Sequence, residues 1–255
     1  MRSWIHLDPA NVKIVETEEG ARIALEAICL TSDINGKIED TKSVEFSLSG
    51  LNTDWIQRHG IRLSLILPVK KPGSYYVRIS IKDAETGKVG SAYQFLEVPD
   101  LKKKGSALSN AFMITSADDL NWMLRSNTAK DIEGGLFFPM FQGEEARSPA
   151  LRTYKPGDVL HTLAMLYNTD AKAVERSEIE TQTILYKDGR EYRRGEPVPV
   201  SMETIENLEG IPILRRFVLG SDMPPGDYVL QLVVTDKNSR SNEVASQTLG
   251  FKVVE

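Results

Sequence analysis

Residues 225–236 read Pro-Gly-Asp-Tyr-Val-Leu-Gln-Leu-Val-Val-Thr-Asp, and residues 72–83 read Pro-Gly-Ser-Tyr-Tyr-Val-Arg-Ile-Ser-Ile-Lys-Asp. Each copy opens with a Pro-Gly pair, which favours a turn because proline presets one φ angle and glycine accepts a positive one. Large apolar residues then recur at every second position, which is the period of a strand. Each copy is therefore predicted to be a strand with one buried face. The matching positions are Pro72, Gly73 and Tyr75 in the first copy and Pro225, Gly226 and Tyr228 in the second.

A second apolar run follows each copy, at residues 95–98 (Phe-Leu-Glu-Val) and at residues 251–254 (Phe-Lys-Val-Val). Such a hairpin, with a tyrosine near the start of its first strand, is typical of the last two strands of an immunoglobulin-like sandwich. We therefore predict an all-β protein of two tandem immunoglobulin-like or fibronectin-III-like β-sandwiches. The first domain is predicted to span residues 1–100 and the second residues 101–255, with a partly helical or irregular insertion at residues 116–150.

Three short stretches predict the local structure between strands. Residues 51–60 are expected to contain a helical turn around Trp55. Residues 33–37 contain an Asn-Gly pair and residues 187–190 an Asp-Gly pair. Both pairs favour a tight hairpin with a positive φ at both central residues.

Composition narrows the class of protein. The chain has 255 residues, of which 41% are hydrophobic and 26% are charged. These values are ordinary for a globular protein, and no apolar run approaches the roughly 18 residues of a membrane span. The net charge of −5 argues against nucleic-acid binding, which requires Lys and Arg clustered on one face. The single cysteine, Cys29, falls on the apolar side of an alternating run and is predicted to be a buried core residue.

The sequence contains no arrangement that is typical of catalysis. His6, His59 and His161 lie far apart, and the chain has no zinc-ligand spacing, nucleophile elbow, phosphate-binding glycine loop or dinucleotide fingerprint. We therefore predict no enzyme activity, no cofactor and no metal. Acidic residues at 16–19 and 144–145 leave one alternative, a hydrolase whose carboxylate pair is assembled from distant loops.

Two aspartates, Asp83 and Asp236, end the two repeats at matching positions. An aspartate that closes a strand commonly accepts hydrogen bonds from the backbone of the following loop, and this is the role we predict. A metal or ligand contact is the alternative.

The most aromatic window of the chain lies in the predicted insertion. Aromatic residues offer a large apolar area at low conformational cost and are enriched in binding hot spots. The candidate partner-binding residues are therefore Trp122, Phe137, Phe138, Met140 and Phe141. The alternative is that they pack beneath the insertion as a local core.

Several motifs point to a known group of proteins. They are residues 78–83 (Arg-Ile-Ser-Ile-Lys-Asp), 87–91 (Gly-Lys-Val-Gly-Ser), 96–101 (Leu-Glu-Val-Pro-Asp-Leu), 107–109 (Ala-Leu-Ser), 152–158 (Arg-Thr-Tyr-Lys-Pro-Gly-Asp) and 187–189 (Lys-Asp-Gly). On these motifs the chain resembles the C-terminal region of large bacterial proteins, abundant in Acidobacteria, that carry a von Willebrand factor A-related domain. The resemblance implies an A-type domain upstream and an exported protein. The metal-dependent adhesion motif Asp-x-Ser-x-Ser does not occur in this sequence, so the resemblance assigns neither a metal site nor catalytic residues to the chain.

Together these features predict a noncatalytic module, secreted or at the cell envelope, that binds a protein partner or spaces and presents an adjacent von Willebrand factor A-type domain. Residues 1–6 lack the apolar core of a signal peptide, which leaves an intracellular protein or a piece of a longer secreted chain as alternatives. A carbohydrate-binding module is a further alternative, and it requires Trp55, Trp122 or residues 137–141 to line an open groove. The sequence does not determine the oligomeric state.

Overall fold

The computed structural model describes residues 2–66, 71–103, 105–115, 136–137, 148–169, 179–200, 210–237 and 243–255. Within these residues the chain forms eighteen strands, one α-helix (α1, Thr53–His59) and one short 3-10 helix (Pro9–Asn11). The predicted all-β sandwich class is therefore confirmed, whereas the immunoglobulin type of both domains stays a prediction. No helix in the described part of the chain is long and apolar enough to cross a membrane.

The described residues fall into two compact units, with the division between Val98 and Pro99. The first unit contains β1 (Arg2–Leu7), β2 (Val15–Thr17), β3 (Gly20–Asp33), β4 (Ile38–Leu51), β5 (Ile61–Ile66), β6 (Gly73–Asp83), β7 (Val89–Val98) and β10 (Leu136–Phe137). The second contains β8 (Ala107–Leu108), β9 (Phe112–Ile114), β11 (Thr153–Tyr154), β12 (Val159–Tyr167), β13 (Ile179–Lys187), β14 (Arg190–Arg194), β15 (Val198–Pro199), β16 (Ile211–Val218), β17 (Gly226–Asp236) and β18 (Glu243–Val253). The strand β10 lies inside the predicted insertion of the second domain, yet it pairs with β5 of the first unit.

The first unit packs two antiparallel sheets around one core. The larger sheet has the order β4-β3-β6-β7. The short strand β2 also pairs with β3, on the same side of β3 as β6. The smaller sheet has the order β1-β5-β10. Alternate residues of β3 point inward, because side chains of a strand alternate between its two faces. The buried core residues come from both sheets and from α1: Ile23, Leu25, Ala27, Ile56, Ile61, Leu63 and Ile81.

Cys29 is one of the inward residues of β3, and it packs with Val77 and Leu96 in a smaller buried cluster. The prediction of a buried core cysteine is confirmed. Burial raises the pKa of its thiol to about 11, so the thiol is protonated at neutral pH.

The second unit also has two sheets that share one core. The larger sheet has the order β11-β18-β17-β13-β14, with β15 paired to β13, and the smaller has the order β16-β12-β8, with β9 paired to β12. The core draws on both sheets, including Leu160 and Leu166 of β12, Ile213 of β16, and Leu230 and Leu232 of β17.

The two Pro-Gly-x-Tyr repeats form equivalent strands. Gly73 and Gly226 both have a positive φ, of 149° and 147°. The hydroxyl of Tyr75 donates to the carbonyl oxygen of Lys71 at 2.9 Å, and the hydroxyl of Tyr228 donates to that of Pro224 at 2.8 Å, four residues upstream in both cases. Both repeats are strands that begin at a glycine with positive φ, as the sequence predicts, and the structure adds the shared tyrosine hydrogen bond.

The predicted hairpins and helix are found, with one difference. Asp188 and Gly189 both have a positive φ, so this two-residue hairpin has the predicted geometry. In the hairpin at residues 33–37, Gly36 has a positive φ but Asn35 does not. The turn is therefore wider than predicted, and the Asp33 N–H closes it by donating to the Lys37 carbonyl oxygen. The side chain of Asp33 stabilises this wider turn because it accepts from the N–H groups of Asn35 and Lys37.

Asp83 has the predicted loop-binding role. Its carboxylate accepts hydrogen bonds from the backbone N–H groups of Glu85 and Thr86 in the hairpin loop, and from that of Lys13 seventy residues upstream. The side chain therefore closes the β6–β7 hairpin and also ties the start of the chain to it. Asp236 is buried at the matching position of the second unit.

The bonds of Asp83 predict a pH-dependent stability. Burial disfavours its ionised form, but the backbone bonds from Lys13, Glu85 and Thr86 outweigh burial and hold its pKa below the usual value. Because the folded pKa lies below the unfolded value of about 3.9, ionised Asp83 stabilises the fold above that pH, and the stabilisation is lost as the pH falls through the folded pKa. Urea unfolding of the wild type and of Asp83→Asn is expected to differ by about 1–3 kcal/mol at neutral pH and by less below about pH 4. A difference that does not change with pH would contradict this role.

Candidate functional site

Three exposed aromatic side chains of the first unit lie on its larger sheet, on the side that faces away from the core. We call this surface the aromatic face. It consists of Tyr76 and Arg78 of β6 and of Tyr93 and Phe95 of β7. The strand register places Tyr76 beside Phe95 and Arg78 beside Tyr93. Two neighbouring strands therefore present these four side chains as two adjacent pairs.

The rings of the aromatic face are open to solvent. Tyr93 is 71% exposed, Phe95 46% and Tyr76 43%. The ring centres of Tyr76 and Phe95 are 5.4 Å apart, and the guanidinium carbon of Arg78 lies 6.0 Å from the ring centre of Tyr93. These are ordinary distances for an aromatic pair and a cation–π contact, so the side chains support one another while their outer surfaces stay accessible.

The strand period explains why these residues point outward. In β6, Val77 and Ile81 face the core, which directs Tyr76 and Arg78 to the other side. In β7, Leu96 is buried, which directs Phe95 outward. The sheet backbone is hydrogen-bonded along its length through an unbroken register, so the aromatic face stands on a rigid support.

A positive charge lies within the aromatic face. Among the residues that the structure describes, no carboxylate pairs with Arg78, whereas Lys82, further along β6, lies 3.4 Å from a carboxylate oxygen of Glu26. Tyrosine and arginine are enriched in the hot spots of protein interfaces, where a guanidinium binds a carboxylate with well-defined geometry. The arrangement therefore suits a ligand that combines apolar area with a carboxylate.

The residues that the sequence singled out in the insertion are not part of this face. Trp122, Phe138, Met140 and Phe141 lie outside the described residues. Phe137 belongs to β10, where its backbone pairs with Ser64 of β5. Their role in partner binding stays a prediction.

Trp55, named for the carbohydrate alternative, is partly buried on α1 and packs against the core of the first unit. Its ring lies 5.0 Å from that of His59, and the guanidinium of Arg62 lies 5.3 Å from its centre. These contacts place the ring at the margin of the core, and its role in carbohydrate binding stays a prediction.

Two of the three histidines meet at the same arginine. His6 is the register partner of Arg62 across β1 and β5, and the carbonyl oxygen of His59 accepts from Nε of Arg62 at 3.3 Å. Burial, together with the charge of Arg62, lowers the pKa of His6, so this imidazole is neutral at pH 7. The sequence did not indicate this cluster, because His6 lies far from His59 and Arg62 in the chain. Its contacts are those of packed structural side chains.

The carboxylates at residues 16–19 lie in the open. Glu16, Glu18 and Glu19 are exposed on β2 and on the turn that follows. A glycosidase holds its catalytic acid in an enclosed cleft, and these exposed side chains do not lie in one. Elsewhere in the described ranges, no three His, Cys, Asp or Glu residues gather as a metal site would require.

The sequence does contain a signal for the aromatic face. Tyr75-Tyr76 and Phe95-Leu96 are pairs of large apolar residues at consecutive positions of predicted strands. Because consecutive side chains point to opposite faces, one member of each pair has to leave the core. Searching for such pairs identifies Tyr76 and Phe95, although it does not show that the face around them is uncovered.

Comparison with known proteins assigns no family to the chain. No family model matches the chain, and no curated protein matches it. Among solved structures, a calcium-binding mutant of Bacteroides uniformis beta-glucuronidase 2 has a TM-score of 0.30 and 9% identity, covering 98% of this chain and 26% of that one. A second Bacteroides uniformis beta-glucuronidase has a TM-score of 0.29 and 9% identity, covering 98% of this chain and 25% of that one. The chain thus spans about a quarter of the length of these proteins.

Proposed function

We propose that the protein is a noncatalytic β-sandwich module that binds a protein partner through the aromatic face. One observation carries the proposal: three exposed rings surround an arginine that no described carboxylate neutralises, on a rigid sheet. Clustered exposed apolar side chains of this kind mark interaction sites more often than single ones do. The proposed partner presents apolar side chains and an Asp or Glu.

The proposal includes a setting outside the cytoplasm. The resemblance to the C-terminal region of exported proteins with a von Willebrand factor A-related domain supports a secreted or envelope protein. In that setting the module spaces or presents an adjacent A-type domain while the aromatic face makes the protein contact.

A peptide selection tests the aromatic face. A phage-displayed random peptide library panned on the whole chain is expected to yield apolar peptides that contain Asp or Glu. Calorimetric titration with the selected peptides is expected to show about a 30-fold loss of affinity for Tyr93→Ser and about a tenfold loss for Arg78→Ala, because hot-spot residues typically cost 1–2 kcal/mol or more. Ser43→Ala, on the exposed side of β4 in the same sheet, is the control and is expected to bind as the wild type does.

Two results would contradict the proposal. One is a set of selected peptides whose binding does not change in Tyr93→Ser and Arg78→Ala. The other is a loss of folding in these variants, measured as a lowered Tm, which would make the residues structural.

Carbohydrate binding is the second candidate, and the exposed rings favour it because sugars stack on aromatic side chains. It makes a different prediction on the same variants. A glycan array probed with the wild type would give signals that Tyr93→Ser removes, while no peptide would be selected. A silent array with peptide binding assigns the face to a protein partner.

A further inference from the structure

The outer backbone edge of β7 pairs with no strand that the structure describes. Among the described strands β7 pairs with β6 alone, and its register runs without a bulge. Residues 90–92 and 94 are exposed, so most of the strand is uncovered on both faces. Proteins usually protect such an edge with charges, proline or a bulge, and residues 89–96 contain no charged residue and no proline. The edge is therefore able to accept another strand.

The sequence of β7 complements itself when two copies run antiparallel. With a two-fold axis at Ala92, Val89 lies opposite Phe95 of the second copy, and Ser91 lies opposite Tyr93 of the second copy. Val89 and Phe95 are both exposed, and this register forms the Val89–Phe95 pair twice, once on each side of the axis. The two copies of Tyr93 become diagonal neighbours about 7–8 Å apart, within reach of aromatic side chains.

The neighbouring register is less favourable. An axis at Tyr93 places Val89 opposite Glu97 of the second copy, so that an apolar side chain meets a carboxylate. That axis also places the two copies of Tyr93 opposite each other, which is one aromatic pair, and leaves Phe95 opposite Ser91. The axis at Ala92 instead forms two pairs of Val89 with Phe95 and keeps the Tyr93 rings within diagonal reach, so it is preferred, since cross-strand pairs of apolar and aromatic residues stabilise a sheet.

We propose that β7 pairs antiparallel with β7 of a second copy of this chain, across a two-fold axis at Ala92, to join the two larger sheets into one. The axis is perpendicular to the sheet, so residues that face outward in one copy face the same way in the other. The two aromatic faces then lie side by side as one surface. The pairing rests on the edge and its register, while its effect on partner binding rests on the proposed function.

Charge and size set the strength of this dimer. Each chain has a net charge of −5, but the paired segment is uncharged from Val89 to Leu96, so no like charges meet at the contact. The segment has few residues compared with the roughly 20–30 on each side of a standard stable interface. The dimer is therefore weak and forms as the concentration rises.

Cysteine cross-linking tests the register. In the proposed dimer the two Cα atoms of residue 92 are about 4.5–5.5 Å apart, which a disulfide spans. Ala92→Cys is expected to form a disulfide-linked dimer under mild oxidation, seen on a non-reducing gel. Gln94→Cys is the matched control, because its two copies lie about 14 Å apart in this register and do not cross-link. The native Cys29 is buried and does not interfere.

Sedimentation of the unmodified chain completes the test. The weight-average sedimentation coefficient of the wild type is expected to rise with concentration, and that of Ala92→Lys to stay at the monomer value with an unchanged Tm. Equal cross-linking of both cysteine variants, or a wild type that stays monomeric at every concentration, would overturn the proposal. Cross-linking at residue 94 instead of residue 92 would overturn it as well.

The outcomes separate this inference from the proposed function. If Ala92→Lys is monomeric yet binds the selected peptides, the aromatic face of a single copy is sufficient for binding. The pairing then only enlarges the binding surface. If the wild type dimerises but binds no peptide, the pairing stands and the proposed function fails. If a selected peptide binds along the β7 edge itself, the edge pairs with a peptide and not with a second copy of the chain. That result would overturn the proposed dimer.

Discussion

Replacing Tyr228 by alanine is expected to destabilise the second unit by about 3–5 kcal/mol, because it empties the space of a large aromatic side chain in a packed core. Tyr228 is 1% exposed. Its ring stacks on that of Phe251 with centres 5.5 Å apart and meets the ring of Tyr192 edge-on at the same distance. The loss includes these ring contacts, which a smaller side chain does not replace.

Two further variants separate the contribution of the hydroxyl hydrogen bond from that of the ring. Tyr228→Phe keeps the ring and removes the bond to the Pro224 carbonyl, so it is expected to cost about 1 kcal/mol. Tyr75→Phe removes the equivalent bond to Lys71 in the first unit and is expected to cost a similar amount. Differential scanning calorimetry of the whole chain measures all three. If Tyr228→Ala cost no more than Tyr228→Phe, the ring would not be the source of the stability.

Gly60→Ala is expected to destabilise the first unit by about 3 kcal/mol or more, from two causes that add. Gly60 has φ 74° and ψ 175°, a combination that residues with a Cβ rarely adopt. An added Cβ would also lie 2.3 Å from Cε1 of His6, so the imidazole or the backbone has to move. Gly60 lies between α1 and β5, so the strain falls on the junction that positions Arg62.

Gly87 offers a comparison at a similar φ without a clash. Gly87 has φ 73°, and an added Cβ there meets no atom within 4 Å. Gly87→Ala is therefore expected to cost only about 1–2 kcal/mol. In a double-mutant cycle, His6→Ala is expected to recover part of the loss in Gly60→Ala, since it removes the atoms that clash. Urea unfolding of the wild type, Gly60→Ala, His6→Ala and the double variant gives the coupling free energy, and a coupling of zero would contradict the clash.

The repeat made the fold predictable because it combines two independent local rules. A Pro-Gly turn begins each strand, and the alternation of apolar residues gives each strand one buried face. Both rules depend on near neighbours in the chain, so Tyr75 and Tyr228 take up the same hydrogen bond in both units. The Asp-Gly hairpin at Asp188 was predictable for the same reason.

The prediction was weaker where a side chain bonds to the turn backbone and where distant segments decide the strand pairing. Asn35-Gly36 has the sequence of a two-residue hairpin, but the carboxylate of Asp33 holds a wider turn. Leu136–Phe137 was assigned to the second domain from its position in the chain, yet it pairs with β5 of the first unit. Strand pairing over such separations depends on which sheet edge is free, and the local pattern does not contain that information.

The candidate site was missed for a related reason. Aromatic content drew attention to residues 137–141, whereas the exposed rings that the structure describes are Tyr76, Tyr93 and Phe95. The alternation of side chains shows which residues share a face of a strand. It does not show which of the two faces a second sheet will cover.

The sequence by itself determined the all-β class, the two equivalent Pro-Gly-x-Tyr strands and the buried cysteine, since each follows from the chemistry of residues a few positions apart. The tertiary structure alone decided that β7 is an edge strand and that Arg78 stands among open rings. Exposure is a property of what packs against a surface, and for β7 the layers that would cover it are absent from the described fold.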